Sequence, residues 1–213
     1  MAHRAGRRVY AFECLAQAYA ELLPILRPLH PNITLVHACA GEHTRIGELH
    51  LAFDSSSMHA ENAERAPMHS AERQKARRDA SQEGTKVQAV LVQPLDGLFP
   101  APNAGNGTRT DPIALLKVDT QGSELSVLRG VQQLLARDRP VILHEDVRYY
   151  KPLARWFKRD AGDTKAFLAP LGYGCVRAGQ VDALCAVDPD GAEGVQRKMR
   201  AIDACRGKRL YSL

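Results

Sequence analysis

Residues 117 to 130, KVDTQGSELSVLRG, set an acidic residue at the end of an apolar strand and open a helix directly after it. Before the turn, Ile113, Ala114, Leu115, Leu116 and Val118 form a near-continuous apolar run interrupted by Lys117. That pattern predicts a parallel strand covered on both faces. After Asp119, Gly122 permits a tight turn, Ser123 suits a helix N-cap, and Leu125, Leu128, Val131 and Leu135 recur at helical spacing. Strand, turn and helix in this order build open α/β sheets, whose ligands sit outside the carboxyl ends of the strands. Asp119, Gln121 and Gly122 fall on that rim. A plainer reading, in which Asp119 and Ser123 only cap the helix, fits the same local sequence.

A second segment repeats the arrangement. In RRVYAFECLAQAYAELLPILRPL, residues 7 to 29, a short strand (Val9, Tyr10, Ala11, Phe12) ends on Glu13 and leads into an amphipathic helix. An acid at the tip of an early strand suits a ribose, because a carboxylate accepts two hydrogen bonds from a vicinal diol. Alone, Glu13 reads as a solvated strand end; with Asp119 it makes a pattern.

VYAFEC, the HACAG of residues 37 to 41 after ITLV, the LLKVDTQGSELSVLRG block and RPVILHED at 139 to 146 occur in an order and spacing that resemble the FkbM-type family of S-adenosylmethionine-dependent methyltransferases. The long block is the specific part, and the resemblance runs from Val9 to about Pro189. It implies an α/β fold with a Rossmann-like class I methyltransferase sheet that ends in an antiparallel hairpin. GYGCVRAGQVDALCAV, residues 172 to 187, reads as that hairpin, turning at Ala178, Gly179 and Gln180.

The resemblance also implies a first strand and a glycine-rich loop ahead of VYAFE, which this sequence lacks. NAGNGT at 103 to 108 follows Pro100 and Pro102 and precedes a strand, so it reads as a connection and not as a cofactor cradle. Without the first strand, neighbouring strands are left with exposed edges. Residues 1–190 are expected to form a partial methyltransferase domain, with 191–213 as a basic C-terminal tail. An incomplete gene product, a decayed enzyme and a chain completed by another polypeptide are the alternatives; the first is favoured.

By the resemblance, Glu13 holds the ribose of S-adenosylmethionine, Cys39, Ala40 and Gly41 line the adenine, and Asp119 with Gln121 faces the methionine end. Many relatives carry glutamate where Gln121 stands, and a proline where Cys14 stands. The implied reaction is O-methylation of a hydroxyl on a sugar, lipid or secondary metabolite, with the enzyme positioning the acceptor and excluding water. Asp119, Glu145 and His144 are the candidate bases. His144 has the more convenient ordinary pKa, whereas the resemblance favours Glu145. Alternation along the strand puts the two on opposite faces, so only one of them faces the pocket. The alternative function is a noncatalytic, methyltransferase-derived binding protein. A dinucleotide-dependent oxidoreductase is a third reading, opposed by the absence of GxGxxG.

GELHLAF at 47 to 53 alternates as a strand, and residues 55–84 read as a polar surface insertion. Ser55, Ser56 and His59 in it are either ordinary loop residues or pocket residues. KVQAVLVQ at 86 to 93 returns to a strand, and PLDGLF makes a short turn or helix. From 149 to 174 an apolar stripe including Leu153, Trp156 and Phe157 predicts a helix that covers the sheet.

At 213 residues with 45% hydrophobic content, one domain buries about 70% of its unfolded surface. The sequence has no apolar run of about 18 residues to span a membrane, and no secretory h-region precedes VYAFE; a cytoplasmic location is the expectation. The net charge is +5, but basic residues are spread among acids without an aromatic stacking platform. Solvated helix faces account for most of these charges better than a nucleic-acid site does, and an anionic substrate or a nucleic acid stays an alternative to the small hydroxyl substrate that the resemblance implies. The five cysteines, Cys14, Cys39, Cys175, Cys185 and Cys205, show no CxxC spacing and read as buried hydrophobes or free thiols. No histidine pairs with a cysteine at ligand spacing, so no metal is expected.

Overall fold

The computed structural model describes residues 7–51, 56–57, 86–99, 112–120, 122–146, 163–179 and 182–210. The first unit is the expected one: β1 (Val9–Glu13), α1 (Ala16–Leu29) and β2 (Ile33–His37), with β1 and β2 parallel and Glu13 opposite His37. After Ala38, β3 (Cys39–Ala40) runs parallel to β6 (Lys86–Gln93), and β6 pairs antiparallel with β4 (Arg45–Leu51). The short β5 (Ser56–Ser57) adds to the far edge of β4. Most of the polar stretch 55–84, with Ser55 and His59, lies outside the described residues.

The central block forms β7 (Leu115–Val118), then α2 (Glu124–Arg129) and α3 (Gln132–Asp138), then β8 (Val141–Glu145) parallel to β7. The single expected helix is thus divided at Gly130 and Val131. Both halves bury their apolar side: Val127, Leu128, Val131, Leu134 and Leu135 pack with Val118 and Ile142 in the main core. β9 (Tyr173–Arg177) and β10 (Asp182–Val187) form the expected antiparallel hairpin, and β10 inserts beside β8, giving the order β7-β8-β10-β9. Gly179 at φ 107° supplies the left-handed turn residue. Between them in sequence lies α4 (Asp163–Leu168); residues 147–162, including Leu153, Trp156 and Phe157, are outside the described residues. The basic C-terminal segment forms α5 (Gly191–Leu210), which packs on β9 and β10 and buries Val195.

Three further findings depart from the sequence reading. The strands do not join one sheet: among the described residues β1-β2, β3-β6-β4-β5 and β7-β8-β10-β9 are separate ladders, and β1 does not pair with β7. They are nonetheless packed together, since Phe12 and Ala40 lie against the main core. β7 is not covered on both faces, because Leu116 and Val118 turn to the core while Leu115 (54% exposed) and Lys117 turn outward. Finally, Cys14–Cys39 and Cys175–Cys185 are disulfides and not free thiols, with Cα–Cα separations of 4.8 and 4.1 Å. The first ties the end of β1 to β3; the second joins directly opposed residues of the hairpin. Among the described residues no helix is long and apolar enough to cross a membrane.

Candidate active site

At the end of β7 the chain must leave the strand and enter a helix within five residues. Gly122 makes this turn at φ 101°, a backbone region that other residues rarely adopt. Ser123 occupies the N-cap position but its side chain makes no capping bond. Glu124 closes the turn instead. Its carboxylate accepts hydrogen bonds from the Thr120 N–H (3.0 Å), the Thr120 hydroxyl (3.2 Å) and the Gly122 N–H (3.1 Å to Oε2). Asp119, at the outer side of this turn, pairs with Lys117 at 3.0 Å, two residues back on the same face of β7. That contact raises the Lys117 pKa.

Strand register brings further acids to the same edge. Val118 lies opposite His144, so the next residues, Asp119 and Glu145, leave neighbouring parallel strands side by side; Asp182 of β10 is opposite Glu145. Burial pushes the Glu145 carboxyl up to about 7, reinforced by the negative charges of Glu124, Asp119 and Asp182 and opposed by Lys117. A carboxyl with that affinity exchanges a proton near neutral pH, as a general base requires.

His144 takes the other face, as alternation demands. It is 1% exposed, its Nδ1 lies 2.9 Å from the Glu145 carbonyl oxygen, and its Nε2 has no hydrogen-bond partner among the described residues. Asp146, fully buried, follows at the strand end and has Lys165 of α4 at 3.9 Å.

The loop after β3 reaches this turn from the other side. The Gly41 N–H donates to the Gln93 carbonyl, the Glu42 N–H donates to the Ser126 hydroxyl of α2 at 3.2 Å, and Glu42 pairs with Arg129 at 3.6 Å. Gly130 faces the Gly41 carbonyl so closely that a Cβ would overlap it. Cys39 is buried and bonded to Cys14, which follows Glu13. Glu13 Oε1 accepts from the Leu15 N–H at 2.7 Å, and its Oε2 takes no hydrogen bond from the described residues.

Of the sequence candidates, Asp119 and Glu145 are thus brought together, and Cys39, Ala40 and Gly41 are fastened to the helix that follows Asp119. Glu13 joins them through the Cys14–Cys39 bond; no direct contact between Glu13 and Asp119 occurs among the described residues. Gln121 lies outside those residues. Sequence reasoning missed Glu124, Lys117 and Asp182. An acid in the first turn of a helix was the available signal for Glu124, and the two-residue strand period for Lys117. Asp182 had none, because its role depends on cross-strand register.

Residues 1–174 match the methyltransferase FkbM domain. The chain belongs to the FkbM methyltransferase family. Among solved structures, the chain is similar to methyltransferase FkbM from Methylobacillus flagellatus KT, at 18% identity and a TM-score of 0.47. The alignment covers 84% of this chain and 36% of that one, so the present FkbM chain spans little more than a third of that protein's length. No match is found among curated proteins.

Proposed function

We propose that this chain carries the cofactor and acceptor residues of an S-adenosylmethionine-dependent methyltransferase that O-methylates a hydroxyl of a sugar, lipid or secondary metabolite. The observation that carries the reading is the meeting of Asp119 and Glu145 at adjacent strand ends, beside a glycine loop locked against the next helix. Family membership supplies the reaction class.

The residues fit the cofactor in two respects. Glu13 keeps one carboxylate oxygen without a partner among the described residues, as a ribose diol needs. The Cys14–Cys39 bond and the close contact of Gly41 with Gly130 fix the backbone of Cys39, Ala40 and Gly41, the edge along which we place the adenine. When bound, S-adenosylmethionine supplies an electrophilic methyl group. The chain's own work is to orient the acceptor hydroxyl and to take its proton, and Glu145 is the base we assign. Asp119 holds Lys117 and is assigned to the methionine end. His144, on the core face, supports β8 from behind.

A second reading, a noncatalytic methyltransferase-derived binding protein, draws on β1 and β7, which among the described residues pair only with β2 and β8. Titration with labelled S-adenosylmethionine separates the two readings: saturable binding that Glu13→Ala abolishes supports the enzyme, and no saturable binding supports the second reading.

A further inference from the structure

Glu124 opens α2, where an acid usually sits in solvent and gains from the positive end of the helix. Here it is 6% exposed. A buried carboxylate is costly unless donors compensate it, and Glu124 has them: the Thr120 N–H, the Thr120 hydroxyl and the Gly122 N–H. All belong to the turn that carries Asp119. The same carboxylate also acts on Glu145 through space, after burial the largest influence on it.

We propose that Glu124 is the positioning residue of the strand-end site: it holds Thr120 and Gly122, which follow Asp119, against α2 and sets the electrostatic field in which Glu145 works. The turn would otherwise have two amide donors without partners in a half-buried bend, and Asp119 would lose its fixed place beside β8. The charged groups acting on Glu145 are Glu124 from α2, Asp119 from the β7 end, Asp182 from β10 and Lys117 from β7. Glu124 differs from the others in doing two things with one carboxylate. Calling Glu145 a base rests on the function proposed above; the geometry of Glu124 does not.

The test uses the full chain labelled with carbon-13 at the glutamate carboxyls, titrated by NMR as wild type and as Glu124→Gln. Glutamine keeps the shape and one acceptor oxygen and removes the charge. The Glu145 midpoint, near 7 in the wild type, is expected to fall by about 0.5 unit or more, with an unchanged near-UV circular dichroism spectrum. A Glu145 midpoint that stays in place overturns the proposal, since a purely structural Glu124 would leave it there. Amide exchange at Thr120 and Gly122 in the wild type keeps the proposal open to refutation if the variant does not fold: protection is expected, and exchange at the rate of an open chain overturns it. Neither readout needs cofactor, so a failed S-adenosylmethionine titration would count against the proposed function alone.

Discussion

Gly130 and Gly41 touch through their backbones, and the contact leaves no room for a methyl group between them. It joins two stretches 89 positions apart in sequence, the loop after β3 and the end of the 117–130 block. Gly130 is also held on its other side, where its carbonyl accepts the Asp96 N–H at 3.0 Å. Its φ of −77° is ordinary, so close approach and not backbone conformation is what demands glycine here.

Gly130→Ala is therefore expected to push the 39–42 loop away from α2. Forcing one methyl into a closed contact typically costs about 1–3 kcal/mol. Denaturant unfolding would measure that loss, and cofactor affinity should weaken with it. Serine at 126 adds a milder control, because Ser126→Ala removes only the bond to the Glu42 N–H.

The Cys14–Cys39 bond closes a sequence separation of 25 residues, and such a link stabilises by restricting the unfolded chain, typically by about 2–4 kcal/mol. Cys14→Ser should lower the unfolding free energy by an amount in that range and loosen Glu13 relative to the 39–41 loop. Because Cys14–Cys39 and Cys175–Cys185 take up four of the five cysteines, thiol titration of the denatured, unreduced protein should count no more than one thiol, rising to five after reduction. A chain kept in a reducing cytosol would show five from the start, so the same count tests the cytoplasmic expectation.

Glu145 gives a pH signature. Its ordinary value is 4.5 and its folded value about 7, so between these pH values the folded state keeps a proton that the unfolded chain has released. Stability should accordingly decline as pH rises from 4.5 to 7, by on the order of 1 kcal/mol once solvent screening is allowed for. Glu145→Gln should flatten that part of a plot of melting temperature against pH. Methyl transfer, where measured, should rise with a midpoint near pH 7, as the folded carboxyl gives up that proton.

Asp96 acts as a cap from a distance. Its two carboxylate oxygens accept the N–H groups of Gln133 and Leu134, both at 2.9 Å, at the start of α3. Asp96→Ala strips both bonds and should cost about 1 kcal/mol, as lost helix caps do. Asp96→Asn, with one acceptor left, should cost less; chemical denaturation of the two variants gives the order.

Much of the framework was legible from the chain because its signals are local. The alternation in KVQAVLVQ, the apolar VYAF and VILH runs and the turn around Gly179 each lie within a few residues, and each marks a strand or a turn found in the fold. Gly122 likewise announced the turn after Asp119. Ser123 misled, because a good N-cap residue was in place while the neighbouring Glu124 had the geometry to reach three donors. The apolar run of β7 misled too, since composition alone does not tell a strand covered on both faces from one whose outer face stays open.

The sequence by itself determined most of the described strands and helices, the order in which they come, and the acids that end β1, β7 and β8, since periodicity and turn chemistry are carried by neighbouring residues; it gave neither the break at Gly130 nor the helix Gly191–Leu210. Only the tertiary structure decided which of those acids meet, which cysteines join, and where the ladders part. Pairing Asp182 with Glu145, Cys14 with Cys39 and Gly41 with Gly130 depends on register and close approach between distant segments, and no local pattern encodes these.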